Sequence, residues 1–137
     1  MGKLYLVSIG PGALDLITPR ACEALKKCEI IIGHQLYLDL IQTLITGKKQ
    51  IASPWGKEIE RVDLAIDKTV EGNNVSLISS GDIGIYGLGG LTLERLGKNN
   101  QEIEYEIIPG ITSANACASI LGAPLAHDFL TLSLSDL

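Results

Sequence analysis

The apolar positions of this chain fall into short runs that alternate with stretches of helical period. Residues 3–9 form an apolar strand candidate that ends at Ser8-Ile9-Gly10-Pro11-Gly12, where proline removes a ladder donor and glycine breaks regular structure. Thr18-Pro19 reads as an N-cap followed by proline at the first helical position. The helix it opens runs to about Lys27 and buries Ala21 and Leu25, with Cys22 and Cys28 as further candidates. Residues 29–32 predict a second strand, whose three isoleucines suit burial on both faces. Gly33-His34-Gln35 interrupts it, a helix follows over 36–45, and Gly47 stops that helix. Residues 50–52 predict a third strand. From Lys57 onward Ile59, Val62, Ile66, Thr69 and Val70 recur at three- and four-residue steps, which predicts a helix.

Val75 to Ile78 is the central strand candidate, fenced by Gly72-Asn73-Asn74 and by Gly81. A glycine-rich turn then leads to a helix over 88–96, ended by Gly97. Residues 104–108 predict a fifth strand, 113–121 an alanine-rich helix, and 129–134 a last strand. Strands and helices alternate throughout. The pattern predicts an α/β fold, a mostly parallel sheet with helices on both faces, in one domain over residues 1–137. Three glycine-bearing loops follow strands: Gly10–Gly12, Gly81–Asp82 and Pro109–Ser113. A parallel sheet gathers them on its carboxyl edge, where open α/β sheets bind ligands.

Composition narrows the function classes. The chain is 46% apolar, yet no stretch approaches the roughly 20 apolar residues that a membrane span needs. Met1-Gly2-Lys3 leads straight into a strand, which predicts a cytoplasmic protein without a signal peptide. A net charge of −5 without a basic cluster argues against a nucleic-acid partner. Cys22, Cys28 and Cys117 lack metal-ligand spacing, so no metal site is expected. The first loop is neither a dinucleotide fingerprint, since Asp15 stands where the third glycine belongs, nor a phosphate-binding P-loop. Trp55 reads as packing, Lys57 and Arg61 as a solvated helix face that could meet carboxylates, and His127-Asp128 as a structural pair or a domain-junction contact.

I-G-P-G with L-I-T-P after it, S-S-G-D-I-G-I-Y-G, and I-P-G-I-T-S-A-N-A together resemble the tetrapyrrole methyltransferases. G-K-E-I-E-R at 56–61 and L-G-A-P-L-A-H-D-F-L-T-L-S-L-S-D-L at 121–137 resemble the branch that methylates precorrin-3B at C17 in cobalamin biosynthesis. The resemblance implies S-adenosyl-L-methionine as cofactor and a tetrapyrrole substrate, precorrin-3B or its cobalt form. It also implies two α/β domains, of which this chain supplies the first. An apolar junction left exposed would favour a homodimer. The residues that match the family's cofactor loops are Gly10, Pro11 and Gly12; Ser80, Gly81, Asp82 and Ile85; and Thr112 and Ser113. Methylation with ring contraction calls for acid–base groups, for which Asp15 and His34 are the candidates. Other readings are a diphthine synthase or ribosomal RNA methylase of the same superfamily, and a non-catalytic cofactor-binding or assembly domain.

Overall fold

The computed structural model describes residues 2–99 and 102–134. Five strands, β1 (Lys3–Ser8), β2 (Ile30–Gly33), β3 (Lys49–Ala52), β4 (Val75–Ser79) and β5 (Glu104–Ile108), form one sheet in the order β3-β2-β4-β1-β5. Every pairing is parallel, with Leu6 opposite both Leu77 and Ile107, and Ile32 opposite Leu77 and Ile51. All five carboxyl ends therefore meet one edge.

The pleat sorts the apolar side chains between two cores. Tyr5, Val7, Ile31 and Ile78 face one side with Ala21, Ala24 and Leu25 of α1 (Pro19–Lys27) and Leu38 of α2 (Gln35–Leu40). Leu4, Leu6, Ile30, Ile32, Val75 and Leu77 face the other side with Val62, Ala65 and Ile66 of α3 (Glu58–Val70). The partly buried Leu91 and Leu96 of α4 (Gly89–Lys98) pack onto this second core. A parallel strand buried on both faces needs apolar residues at consecutive positions, which is why these strands lack an alternating pattern. Thr18 caps α1 as its sequence suggested, accepting from the Ala21 N–H at 3.2 Å.

Four expectations are corrected. The helix after β2 is broken: α2 ends at Leu40, Ile41 leaves helical geometry, and a 3-10 turn follows at Gln42–Leu44. Ile41 and Ile45 are both fully buried, and the break lets both reach the core. Helix α4 runs through Gly97 and stops at Asn99, because a single glycine only weakens a helix interior. Arg61 is not solvated: 3% exposed, it donates from Nη2 to the carbonyls of Ser53 and Pro54 at 3.1 and 2.7 Å. Residues 129–134 form no strand. Phe129, Leu130, Leu132 and Leu134 are all exposed, and no strand of the sheet offers this segment a ladder. A last helix, α5 (Ser113–Leu121), buries none of its residues and ends in a left-handed Gly122. Ser135, Asp136 and Leu137, the end of the 121–137 motif, lie outside the described residues.

Candidate functional site

The three strand-end loops are joined to each other through their backbones. Gly10 and Gly81 exchange two backbone hydrogen bonds, Gly10 N–H to Gly81 O at 3.1 Å and Gly81 N–H to Gly10 O at 2.7 Å. Both residues have φ in the left-handed region, +72° and +59°, which suits glycine at each position. Ser8, fully buried at the end of β1, accepts from the Ile83 N–H at 2.8 Å and holds the second loop from below.

Asp82 completes the junction. One carboxylate oxygen accepts from the Gly84 N–H at 2.8 Å, closing the second loop on itself. The other accepts from the Gly110 N–H at 2.9 Å, tying that loop to the one after β5. Gly110 leaves no room for a side chain: a Cβ there would lie 2.5 Å from both the Gly81 carbonyl oxygen and Ser8 Cβ. Within the same loop Tyr86 takes φ +54°, the one positive φ outside glycine among the described residues. For a bulky side chain that conformation costs on the order of 1–3 kcal/mol and recurs at ligand-holding loops.

Above this junction lies a cavity of about 990 Å³. That is the upper end of the range, roughly 300–1,000 Å³, in which small-molecule sites fall. Pro11, Ser80, Gly81, Asp82, Ile85, Thr112 and Ser113 all line it, so residues from three separate loops converge on one space. Gly10 and Gly12 do not reach the wall; Gly10 supports it through the Gly81 bridge. Thr112 also caps α5, accepting from the Asn115 N–H at 3.4 Å. Among the described residues the Ser80 and Ser113 hydroxyls make no hydrogen bond, which leaves both available to a ligand.

The two acid–base candidates lie off the cavity wall. Asp15 sits exposed in a 3-10 turn, Leu14–Leu16, with no partner among the described residues. His34 caps α2, its Nδ1 accepting from the Leu36 N–H at 3.2 Å, and stacks on Trp55. Trp55 is thus an exposed stacking residue rather than core packing. His127 and Asp128 are exposed and form no pair. Among the described residues no group of three or more His, Cys, Asp or Glu could hold a metal, and no helix is long and apolar enough to cross a membrane.

Sequence reasoning missed several parts of the site. Ser8 gave no signal, because a serine closing a strand has no distinctive spacing. Tyr37 and Asn115 line the cavity from α2 and α5. Phe129, Thr131 and Leu132 reach it from the irregular 129–134 segment, where the Tyr86 hydroxyl lies 3.5 Å from Thr131 Oγ1.

Gly81 and Gly110 line this cavity beside the Ser80 and Ser113 hydroxyls, with the exposed Ile85 and Phe129 also on its wall. A probable cobalt-factor III C(17)-methyltransferase from Salmonella typhimurium is 46% identical over 134 residues, which are 98% of this chain and 56% of that protein. The chain thus spans about half the length of that curated relative. The crystal structure of the methyltransferase CobJ matches with a TM-score of 0.92 at 33% identity, covering 99% of this chain and 57% of that one. A uroporphyrin-III C-methyl transferase from Thermus thermophilus, solved in complex with S-adenyl homocysteine, matches with a TM-score of 0.75 at 26% identity, covering 93% of this chain and 54% of that one. Residues 3–137 match the family model for Tetrapyrrole (Corrin/Porphyrin) Methylases, and the chain belongs to that family.

Proposed function

We propose that this chain is the N-terminal, cofactor-holding domain of an S-adenosylmethionine-dependent C-methyltransferase of cobalamin biosynthesis, acting at C17 of precorrin-3B or its cobalt form. One observation carries the reading. Pro11, Ser80, Gly81, Asp82, Ile85, Thr112 and Ser113, drawn from loops far apart in sequence, line a single cavity at the carboxyl edge of the sheet. The names of the Salmonella relative and of CobJ support the methyl-transfer chemistry.

S-adenosylmethionine held by the loops that Pro11, Gly81, Asp82 and Thr112 belong to would supply an electrophilic methyl. This chain's residues supply placement, the larger part of such a methyl transfer. The Gly10–Gly81 bridge and the Asp82 carboxylate set the loop backbones, Thr112 caps α5 from the cavity wall, and Ser80 and Ser113 offer hydroxyls to a ligand. Ile85, 51% exposed on the cavity wall, offers an apolar contact. Asp15 and His34 remain the acid–base groups proposed for the ring contraction. We also propose a cytoplasmic homodimer, supported by the exposure of Ile120, Leu121 and Leu130. Sedimentation as a monomer at all concentrations would remove the dimer.

Calorimetric titration with S-adenosylhomocysteine tests the cavity. Saturable one-site binding is expected, weakened at least about tenfold by Ser80→Phe, which fills the space without removing a hydrogen bond of the fold. Absence of binding by the folded wild type, or equal binding by Ser80→Phe, overturns the assignment.

A further inference from the structure

The loops after β2 and β3 build a second feature on the same sheet edge. Trp55, the chain's single tryptophan, is 59% exposed. It is nevertheless held. Its ring stacks on the His34 imidazole with centroids 3.8 Å apart and planes 20° apart. Tyr37 meets both rings edge-on, 5.6 Å from Trp55 and 5.7 Å from His34. His34 is in turn fixed by its capping bond to Leu36.

The backbone under Trp55 is anchored as well. Arg61 donates to the carbonyls of Ser53 and Pro54, the two residues before it, and has a buried Nε without a hydrogen-bond partner. A buried guanidinium that is incompletely bonded is costly to keep, and here its two bonds both go to one short loop. The result is a large aromatic face that loses little conformational freedom when something covers it.

Position says what would cover it. Tyr37 belongs both to this cluster and to the cavity wall, so the aromatic surface continues the cavity toward the β3 edge. A ligand held beside the cofactor cavity and broad enough to reach Trp55 has to be large, and a stacking face selects one that is flat and conjugated.

We infer that Trp55, backed by His34, is a preorganised stacking surface for one face of the tetrapyrrole, and that Arg61 is the positioning residue that holds it. This rests on the function proposed above and assigns residues to its substrate side. Because Trp55 contributes a face and no hydrogen bond, it would set affinity for the macrocycle without touching the cofactor.

The experiment titrates cobalt-factor III into the 137-residue chain, measuring free tetrapyrrole after ultrafiltration, with S-adenosylhomocysteine titrated in parallel by calorimetry. Trp55→Ala should weaken tetrapyrrole binding about tenfold, within the range known for ring stacking on aromatic side chains, and leave S-adenosylhomocysteine affinity unchanged. Trp55→Phe, which keeps an aromatic face, should recover most of the loss. Arg61→Lys should weaken the tetrapyrrole by a smaller factor and alter the near-ultraviolet circular dichroism of the single tryptophan, a readout that a general loss of stability would not single out. Unchanged tetrapyrrole affinity in Trp55→Ala overturns the inference, and so does a wild type that binds S-adenosylhomocysteine but no tetrapyrrole. A wild type that binds neither removes the functional reading, and the stacking surface with it.

Discussion

Replacing Asp82 with alanine separates two roles for this carboxylate, a ligand contact and a tie between loops. In the structure both oxygens are engaged with backbone, accepting from Gly84 at 2.8 Å and from Gly110, 28 residues away, at 2.9 Å. A hydrogen bond to a charged group contributes roughly 1.5–3 kcal/mol net, and solvent lowers that value. The Gly84 bond is exposed and the Gly110 bond is partly buried, so together they should contribute about 2–3 kcal/mol. In a chain of this length 1 kcal/mol moves Tm by roughly 3–5 °C, so Asp82→Ala should melt about 6–15 °C lower. Urea unfolding followed by far-ultraviolet circular dichroism measures the free energy directly, and calorimetry measures S-adenosylhomocysteine affinity on the same sample. Affinity should fall with stability, because releasing Gly110 lets the second and third loops separate. Asp82→Asn should recover half of the loss at most, since its amide nitrogen would face a backbone donor. The reasoning is refuted if Asp82→Ala stays within about 2 °C of the wild type and still loses the ligand. The carboxylate would then act on the ligand and not on the loops.

Three further outcomes follow from the geometry. Gly110→Ala should cost on the order of 1–3 kcal/mol in urea unfolding, because the new Cβ meets the Gly81 carbonyl and Ser8 at 2.5 Å; Gly90→Ala, in open space on α4, should be neutral or stabilising, and equal stability of the two variants would contradict the packing. Burial pushes the Cys28 thiol up to about 12, so mass spectrometry after alkylation at pH near 8 should find Cys28 unmodified in the folded chain, with exposed Cys117 on the cavity wall labelled and protected by S-adenosylhomocysteine. Glu106 lies below the usual carboxylate range because Arg20, then Lys3, bonds its charged form. Its contribution is therefore present above the ordinary carboxylate value and lost as pH falls through the depressed one. Glu106→Gln should lower stability at pH 7 by less than about 1 kcal/mol and leave it unchanged once the wild-type group is protonated, which acid titration of Tm would show.

What could be read from the sequence was whatever a local pattern can state. Ile30 to Ile32 and Val75 to Ile78 are too apolar for any place but a sheet covered on both sides, and Thr18-Pro19 marks a helix start by its own chemistry. The three loops were legible because glycine and proline punctuate them directly after strands. Asp82 was legible as a loop carboxylate, but its tie to Gly110 on another loop was not, because that donor lies 28 residues away. Ser8 was invisible for the same reason, its partner Ile83 being 75 residues away. Arg61 shows the converse. One helical turn from Lys57 it has the spacing of a solvated face, and only the docking of α3 beneath the Ser53–Pro54 carbonyls turns it inward.

Residues 129–134 carry the lesson furthest. Apolar residues recur at Leu130, Leu132 and Leu134 with Thr131 and Ser133 between them, which is the period of a half-buried strand. That period states which face a strand would present. It says nothing about a neighbour to receive the backbone hydrogen bonds, and a strand exists only when one does. The sheet ends at β5 on one side and β3 on the other, and this segment pairs with neither. Phe129, Thr131 and Leu132 instead form part of the cavity's wall. Among the described residues no strand receives this segment's backbone, so its period announced neither its conformation nor its place on the cavity wall.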